Sequence, residues 1–223
     1  MSKRISDEIE SFKYSGEPVR FTFGTLAFIA FSVLLIIVST FTQLPIVDIF
    51  SLSKADGETG FLLSDYLINS SYYGYIPQLP AIFFTIALLD RRYGMCAIIL
   101  YIILGLFVCP VFGMGGGIDY ILEFGFGYIL AYIPAAFITA TILKNNYKFL
   151  NVLKGVILGV LAIHLIGVMY MIFISTLFST SAEMITGWIA SQSGIKILYD
   201  MFFSLCAIYF AYFVKRGLWL VMC

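Results

Sequence analysis

Six stretches of this chain run long with almost no charge: residues 21–45, 76–89, 93–109, 124–143, 152–175 and 198–214. Lys154 and Asp200 are the two charged residues that fall inside them. A bilayer-crossing helix needs about 20 mostly apolar residues, because each backbone N–H and C=O must be paired within the segment. The stretches are apolar throughout, whereas barrel strands alternate over about 10 residues, so helices are expected. The second and third are separated only by Asp90-Arg91-Arg92, which predicts a tight helical hairpin. The expected fold is all-α. It is a polytopic membrane protein with six transmembrane helices, forming a single integral-membrane domain over 1–223.

Composition supports this reading. The chain is 61% hydrophobic and 12% charged, with a mean hydropathy of +0.98. Soluble domains carry about 45–50% apolar and about 25% charged residues. Half the usual charge cannot cover a water-facing surface, which excludes a soluble enzyme and a disordered chain. Basic and acidic residues number 13 each, so no polybasic footprint for nucleic acid is present. Placement of the basic residues orients the bundle. With the N-terminus inside, Lys3, Arg4, Lys13, Arg20, Arg91, Arg92, Lys144, Lys148, Lys154, Lys215 and Arg216 lie on the cytoplasmic side, and only Lys54 and Lys196 lie outside. Both termini are therefore expected in the cytoplasm. The first apolar stretch exceeds the usual signal-peptide core of about 7–15 residues. Asp7, Glu8, Glu10 and Glu17 precede it, so a cleavable signal is not expected.

Residues 46–75 make a long first outer loop. Within it, Phe61, Leu62, Leu63, Tyr66 and Leu67 suit a short interfacial helix or lid, or equally an ordinary surface helix. Asn69-Ser70-Ser71 fits a glycosylation sequon, a pattern of low specificity. The four cysteines, Cys96, Cys109, Cys206 and Cys223, form no C-x-x-C pair and read as small buried hydrophobes with free thiols.

Chemistry concentrates at the outer ends of the later spans. Pro110-Val111-Phe112-Gly113-Met114-Gly115-Gly116-Gly117 leads from span three to span four. It reads as a flexible connector or as an anion-binding nest of N–H groups from Gly115, Gly116 and Gly117. It contains no P-loop motif. Asp200 lies just inside span six, and an ionisable residue there is costly unless it faces a bundle interior or a cavity. Lys196 sits four residues earlier, on the same face if the helix begins that early, as a salt-bridge partner or a ligand contact. His164, the single histidine, lies mid-span with Gly167 and Met171 at helical spacing. A lone histidine is no metal site. It reads as a satisfied core residue, with proton coupling as the sharper alternative. Tyr72, Tyr73, Tyr75, Tyr120, Tyr128 and Tyr199 cluster near the outer boundary, as an aromatic belt or a pocket wall. Asp119 and Glu123 form a possible carboxylate pair, but no hydrolase motif accompanies them. No enzyme, cofactor or metal is expected.

The middle of the chain resembles the BioY-type S component of energy-coupling-factor vitamin transporters, which captures biotin. The resemblance rests on Gln78, Arg92-Tyr93-Gly94, Tyr101 with Gly105, Pro110-Val111-Phe112, Gly115-Gly116-Gly117, Gly127-Tyr128 and Ala135-Ala136. It covers residues 76–140 well and the last third through His164, Gly167-Val168-Met169-Tyr170 and Asp200. Three features differ. Glu123-Phe124-Gly125-Phe126-Gly127-Tyr128 stands where the family reads Gly-Pro-Thr-x-Gly-Tyr. Phe203 stands where a Lys follows the span-six Asp. Span one offers Gly24, Ala27 and Ala30 in place of an Ala-x-x-x-Ala docking face. The resemblance implies an S component of the bacterial inner membrane that takes biotin from outside. It also implies partners: a transmembrane coupling subunit and ATPase subunits. A different vitamin, or a non-transport assembly role for the membrane protein, remain alternatives. The ligand-binding residues expected on this reading are Gln78, Gly115, Gly116, Gly117, Tyr128, Tyr170, Lys196 and Asp200. Asp200 would accept a ureido N–H, the Gln78 amide would donate and accept, and Tyr128 and Tyr170 would wall the thioether ring. The glycine nest, favoured because its N–H groups are already fixed, or Lys196 would hold the valerate carboxylate.

Overall fold

The computed structural model describes residues 22–47, 72–144 and 147–222. The acidic lead-in, most of the first outer loop with its candidate interfacial helix and sequon, and Cys223 fall outside the described residues. The described chain is mostly helical, in the order α1 (Phe23–Phe41), β1 (Leu44–Val47), β2 (Tyr72–Tyr75), α2 (Gln78–Phe107), a 3-10 turn (Ile118–Leu122), α3 (Phe126–Leu130), α4 (Tyr132–Leu143), α5 (Phe149–Leu177), α6 (Ala182–Ser193) and α7 (Lys196–Met222). Four segments are long and apolar enough to cross a membrane: Phe23–Phe41, Phe126–Leu143, Phe149–Leu177 and a window within Ala182–Gly217.

Apolar side chains cover the outside as well as filling the core. Phe23, Leu34, Phe107, Leu165, Phe202 and Phe213 are exposed, while Ser32, Thr85, Thr139, His164, Asp200 and Ser204 are buried. That pattern suits a surface solvated by acyl chains. In α1 the buried positions Ile29, Ser32, Val33, Ile36, Ser39 and Thr40 form one helical stripe, and the rest of the circumference faces outward. Thr22 caps the start, its hydroxyl accepting from the Thr25 N–H at 3.2 Å.

The expected hairpin forms inside α2. Asp90 breaks the helix with φ 60° and ψ −179°, and the chain reverses. A Cβ on Gly94 would lie 3.2 Å from the Ile86 Cα. Gln78 and Tyr101 would stand roughly 35 Å apart along a straight helix, yet their side chains are bonded at 2.8 Å. At the turn, Lys215 Nζ reaches Asp90 Oδ2 at 2.6 Å, Arg91 lies over the Phe137 ring, and Tyr147 donates to the Ala87 carbonyl at 3.1 Å. Burial, then the nearby Asp90 charge, raises the Tyr147 phenol above its ordinary range, so it remains a donor.

Helices α3 and α4 pack against α5 through small residues, the usual means of close approach between membrane helices. Two glycine–tyrosine contacts are reciprocal. A Cβ on Gly127 would meet Tyr170 at 2.3 Å, and one on Gly167 would meet the Tyr128 ring at 2.5 Å. Thr139 also donates to the Gly155 carbonyl at 3.0 Å.

Four expectations need correction. The fold is not purely α: β1 and β2 pair antiparallel, Leu44 opposite Tyr75 and Val47 opposite Tyr72. The first span ends at Phe41, because Pro45 cannot donate within a helix and sits in β1. An additional helix, α6, lies between α5 and α7, begun by Ser181, which accepts from the Met184 N–H. Among the cysteines, Cys96 is half-buried, but Cys109 and Cys206 are exposed rather than buried; all three are free.

Candidate functional site

Two polar networks are buried in the bundle, one where α1, both arms of α2 and α4 meet, the other where α3, α5 and α7 meet β2 and α6. The first centres on Gln78, at the start of α2. Its amide nitrogen donates to Thr40 Oγ1 at 2.9 Å and to Tyr101 Oη at 2.8 Å. Its amide oxygen accepts from Tyr132 Oη at 2.8 Å. Thr40 passes its own proton to the Ile36 carbonyl at 2.8 Å, and Tyr101 points at the Val111 carbonyl at 3.4 Å. Both amide protons of Gln78 are thus committed.

The second network centres on Asp200, whose side chain is fully buried. Tyr75, the last residue of β2, donates to Asp200 Oδ1 at 2.7 Å. His164 Nε2 lies 3.2 Å from Asp200 Oδ2. The other ring nitrogen of His164 lies 2.9 Å from Ser193 Oγ, at the end of α6. Ser193 Oγ is in turn 2.7 Å from Tyr128 Oη. Five elements therefore meet through one carboxylate. The Tyr75 ring stacks on Phe203 at 5.1 Å. Where the family pattern places a Lys three residues after the Asp, this chain places an aromatic ring that props up a hydroxyl donor.

Lys196 does not pair with Asp200 in the structure; its ammonium donates to Gln192 Oε1 at 3.2 Å, one turn back. Tyr170 is apart from Asp200. It donates to the Ile121 carbonyl and packs edge-on against Phe126 at 6.0 Å, so it anchors the 3-10 turn to α5. The glycine loop is a tight, self-bonded turn. Gly115 and Phe112 exchange backbone hydrogen bonds at 2.9 and 3.0 Å, and the Gly117 N–H donates to the Gly105 carbonyl at 2.9 Å. Two of the three N–H groups expected to form a nest are committed to protein carbonyls. Gly115 and Gly117 have φ of +129° and +94°, a conformation that favours glycine. A Cβ on Gly116 would come within 2.6 Å of the Pro110 Cα. Asp119 and Glu123 are exposed on this loop.

Sequence reasoning placed Asp200 and His164 in the bundle but did not pair them. It also missed Ser193, Thr40 and Tyr132. Tyr75 carried a partial signal as one of several tyrosines near the outer boundary. Ser193 carried none, because a single serine before a glycine has no periodicity.

Comparison with known proteins bears on the family and the fold. The sequence profile of the BioY family matches residues 75–218. A protein of Lysinibacillus sphaericus described as a probable biotin transporter BioY is 27% identical over 121 residues, which is 51% of this chain and 62% of that protein. A protein of Pyrococcus horikoshii with the same description is 37% identical over 102 residues, 44% of this chain and 60% of that one. The matches therefore span about three fifths of these relatives' length. A crystal structure described as the S-component for biotin from an ECF-type ABC transporter superposes with a TM-score of 0.60. It is 19% identical and covers 88% of this chain and 95% of its own, a likeness of fold. The profile match takes in more than half the chain and contains Gln78, the glycine loop, His164 and Asp200: the chain belongs to the BioY family.

Proposed function

We propose that this chain is the substrate-capture subunit for biotin uptake across a bacterial cytoplasmic membrane. Six crossings are α1, the two arms of α2, α3 with α4, α5, and α7. Both termini lie on the side rich in Lys and Arg, and α6 lies at the opposite, outer end. The observation that carries the reading is Asp200, a carboxylate fully buried in a span with no other charged residue, with Tyr75 and His164 against it. Burial of an unpaired charge is costly, and such residues in membrane helices mark substrate paths. A carboxylate offers about four acceptor positions; Tyr75 and His164 occupy two of them. The remaining capacity suits the N–H groups of a ureido ring, in charge-assisted bonds. Tyr128 walls the pocket, Gln78 and the loop of Gly115, Gly116 and Gly117 frame it, and Tyr170 holds the loop in place. Lys196 is favoured over the glycine nest for the valerate carboxylate, because the Gly115 and Gly117 N–H groups are already bonded. Energy comes from a transmembrane coupling subunit and ATPase subunits, as in the transporter class to which the solved relative is assigned. The chain performs capture and no chemistry.

Calorimetry with biotin on the detergent-purified chain tests this. Nanomolar binding is expected. No binding at high micromolar biotin would overturn the biotin assignment. Phe203 supports a second reading, a vitamin without a carboxylate, which a thermal-shift panel of vitamins would then identify.

A further inference from the structure

We propose that His164 and Ser193 are positioning residues that set the hydrogen-bond polarity of the pocket, so that it accepts from its ligand at both Asp200 and Tyr128. The proposal rests on the reading of Asp200 as the ligand's acceptor.

The polarity follows from one fixed end of the chain of contacts. An ionised carboxylate only accepts. Tyr75 Oη and His164 Nε2 must therefore both donate to Asp200, at 2.7 and 3.2 Å. A neutral imidazole with its proton on Nε2 has a bare Nδ1. Ser193 Oγ, at 2.9 Å, then donates to Nδ1. Having given its only proton, Ser193 accepts from Tyr128 Oη at 2.7 Å. For a neutral ring this gives every proton of the relay a place, running from Tyr128 through Ser193 and His164 to Asp200. Tyr128 keeps lone pairs for a ligand but no free proton. With the other tautomer, a bare Nε2 would face the carboxylate, lone pair against lone pair. The Asp200 carboxylate disfavours that arrangement, and the Ser193 hydroxyl passes the resulting polarity on to Tyr128.

Ser193 closes α6, a helix with no buried residue of its own. Its further seat is Trp188, whose ring lies 6.1 Å from that of Phe124. The seating of α6 is thereby linked to the donor that Asp200 receives. A pocket of this polarity selects a compact ligand bearing N–H donors, such as a cyclic urea, over one that offers only acceptors. Among the described residues, Tyr75 from β2, Tyr128 from α3, Tyr132 from α4 and Lys196 from α7 are titratable groups near His164 or Asp200, with Tyr199 beyond Tyr75.

His164 is the sole histidine, so its imidazole can be observed alone. The first measurement is nitrogen NMR of histidine-labelled full-length protein, purified without a histidine tag and without ligand. The expected spectrum is a neutral ring protonated at Nε2 and bare at Nδ1. A proton on Nδ1, in either the neutral or the charged ring, would overturn the proposal. The second measurement is biotin affinity. Ser193→Ala should weaken binding about tenfold, one hydrogen bond's worth, and Ser193→Thr should restore it. In a His164→Leu background, Ser193→Ala should cost nothing further. Wild-type affinity in Ser193→Ala, or undiminished cost in the double variant, would overturn it. If the wild-type chain does not bind biotin, the ligand reading fails, and the imidazole spectrum still decides the relay.

Discussion

The Gln78 and Asp200 networks are both buried and both built from tyrosines and hydroxyls, yet they differ in what they leave open. Gln78 is neutral, its two amide protons are taken, and the partners Thr40 and Tyr101 direct their own protons at backbone carbonyls. It ties α1, both arms of α2 and α4 into a closed circuit. Asp200 carries a charge, draws its donors from β2 and α5, and retains acceptor positions. A closed neutral circuit stabilises a fold without specifying a ligand. An incompletely filled carboxylate is tolerable at this depth only while its donors stay in place. On the proposed reading Asp200 serves the ligand and Gln78 the fold, a division that substitutions at the two positions test.

The largest expected effect lies on the charged side of that contrast. Asp200→Asn keeps the shape and removes the charge, and should weaken biotin binding by about 2–5 kcal/mol, the cost of losing one partner of a buried charged contact. Calorimetry checks this. Unchanged affinity would move the ligand away from Asp200 and erase the distinction. Lys196 comes next. Lys196→Met should cost about 1.5–3 kcal/mol toward biotin, the range for hydrogen bonds to charged groups. The same substitution should have little effect on biotin amide, which lacks the carboxylate. Equal losses for the two ligands would show that Lys196 acts through the fold and not on the valerate.

Gln78 should behave in the opposite way. Gln78→Leu leaves the Tyr132 hydroxyl without its acceptor and the Thr40 and Tyr101 oxygens without a donor. Each unsatisfied buried group costs about 1–3 kcal/mol. Thermal stability should fall markedly, while affinity measured on the folded fraction changes by less than about 1 kcal/mol. If affinity falls as far as in Asp200→Asn with stability intact, the circuit opens to hold ligand and Gln78 belongs to the site.

How much of this the sequence discloses follows from the range of each interaction. The apolar stretches, the hairpin at Asp90 and the burial of Asp200 are local: each is set by a run of side chains or by one charge in such a run. Tyr75 and Asp200 are 125 residues apart, and their bond depends on β1 and β2 closing the base of the long loop. Four-residue strands containing Pro45 and Gly74 carry little local β signal. Helix α6 escaped because Glu183, Gly187 and its serines interrupt an apolar pattern. The glycine loop was legible as a special backbone. Its reading as an anion nest was not decidable, because the carbonyls that take its N–H groups come from Phe112 and from Gly105 on the preceding helix. Glycine content identifies permissive backbone without indicating what occupies its donors.

The opposite end of the bundle supplies the smallest test, a charge outside both buried networks. Asp90 pairs with Lys215 at 2.6 Å, but the two side chains are 49% and 37% exposed. A pair this exposed contributes about 0.2–1 kcal/mol and weakens in salt. Asp90 also holds φ 60° with ψ −179°, a backbone region that is essentially glycine's and costs other residues about 1–3 kcal/mol. The strain outweighs the ion pair. Asp90→Gly should therefore stabilise the protein by about 1 kcal/mol, raising Tm by roughly 2–4 °C. Asp90→Asn, which keeps the Cβ and loses the charge, should lower Tm slightly at low salt and not at all in high salt. A fall in Tm for Asp90→Gly would mean that the Lys215 pair, and not the turn, governs this end. The contrast between buried and exposed carboxylates would then rest on Asp200 alone.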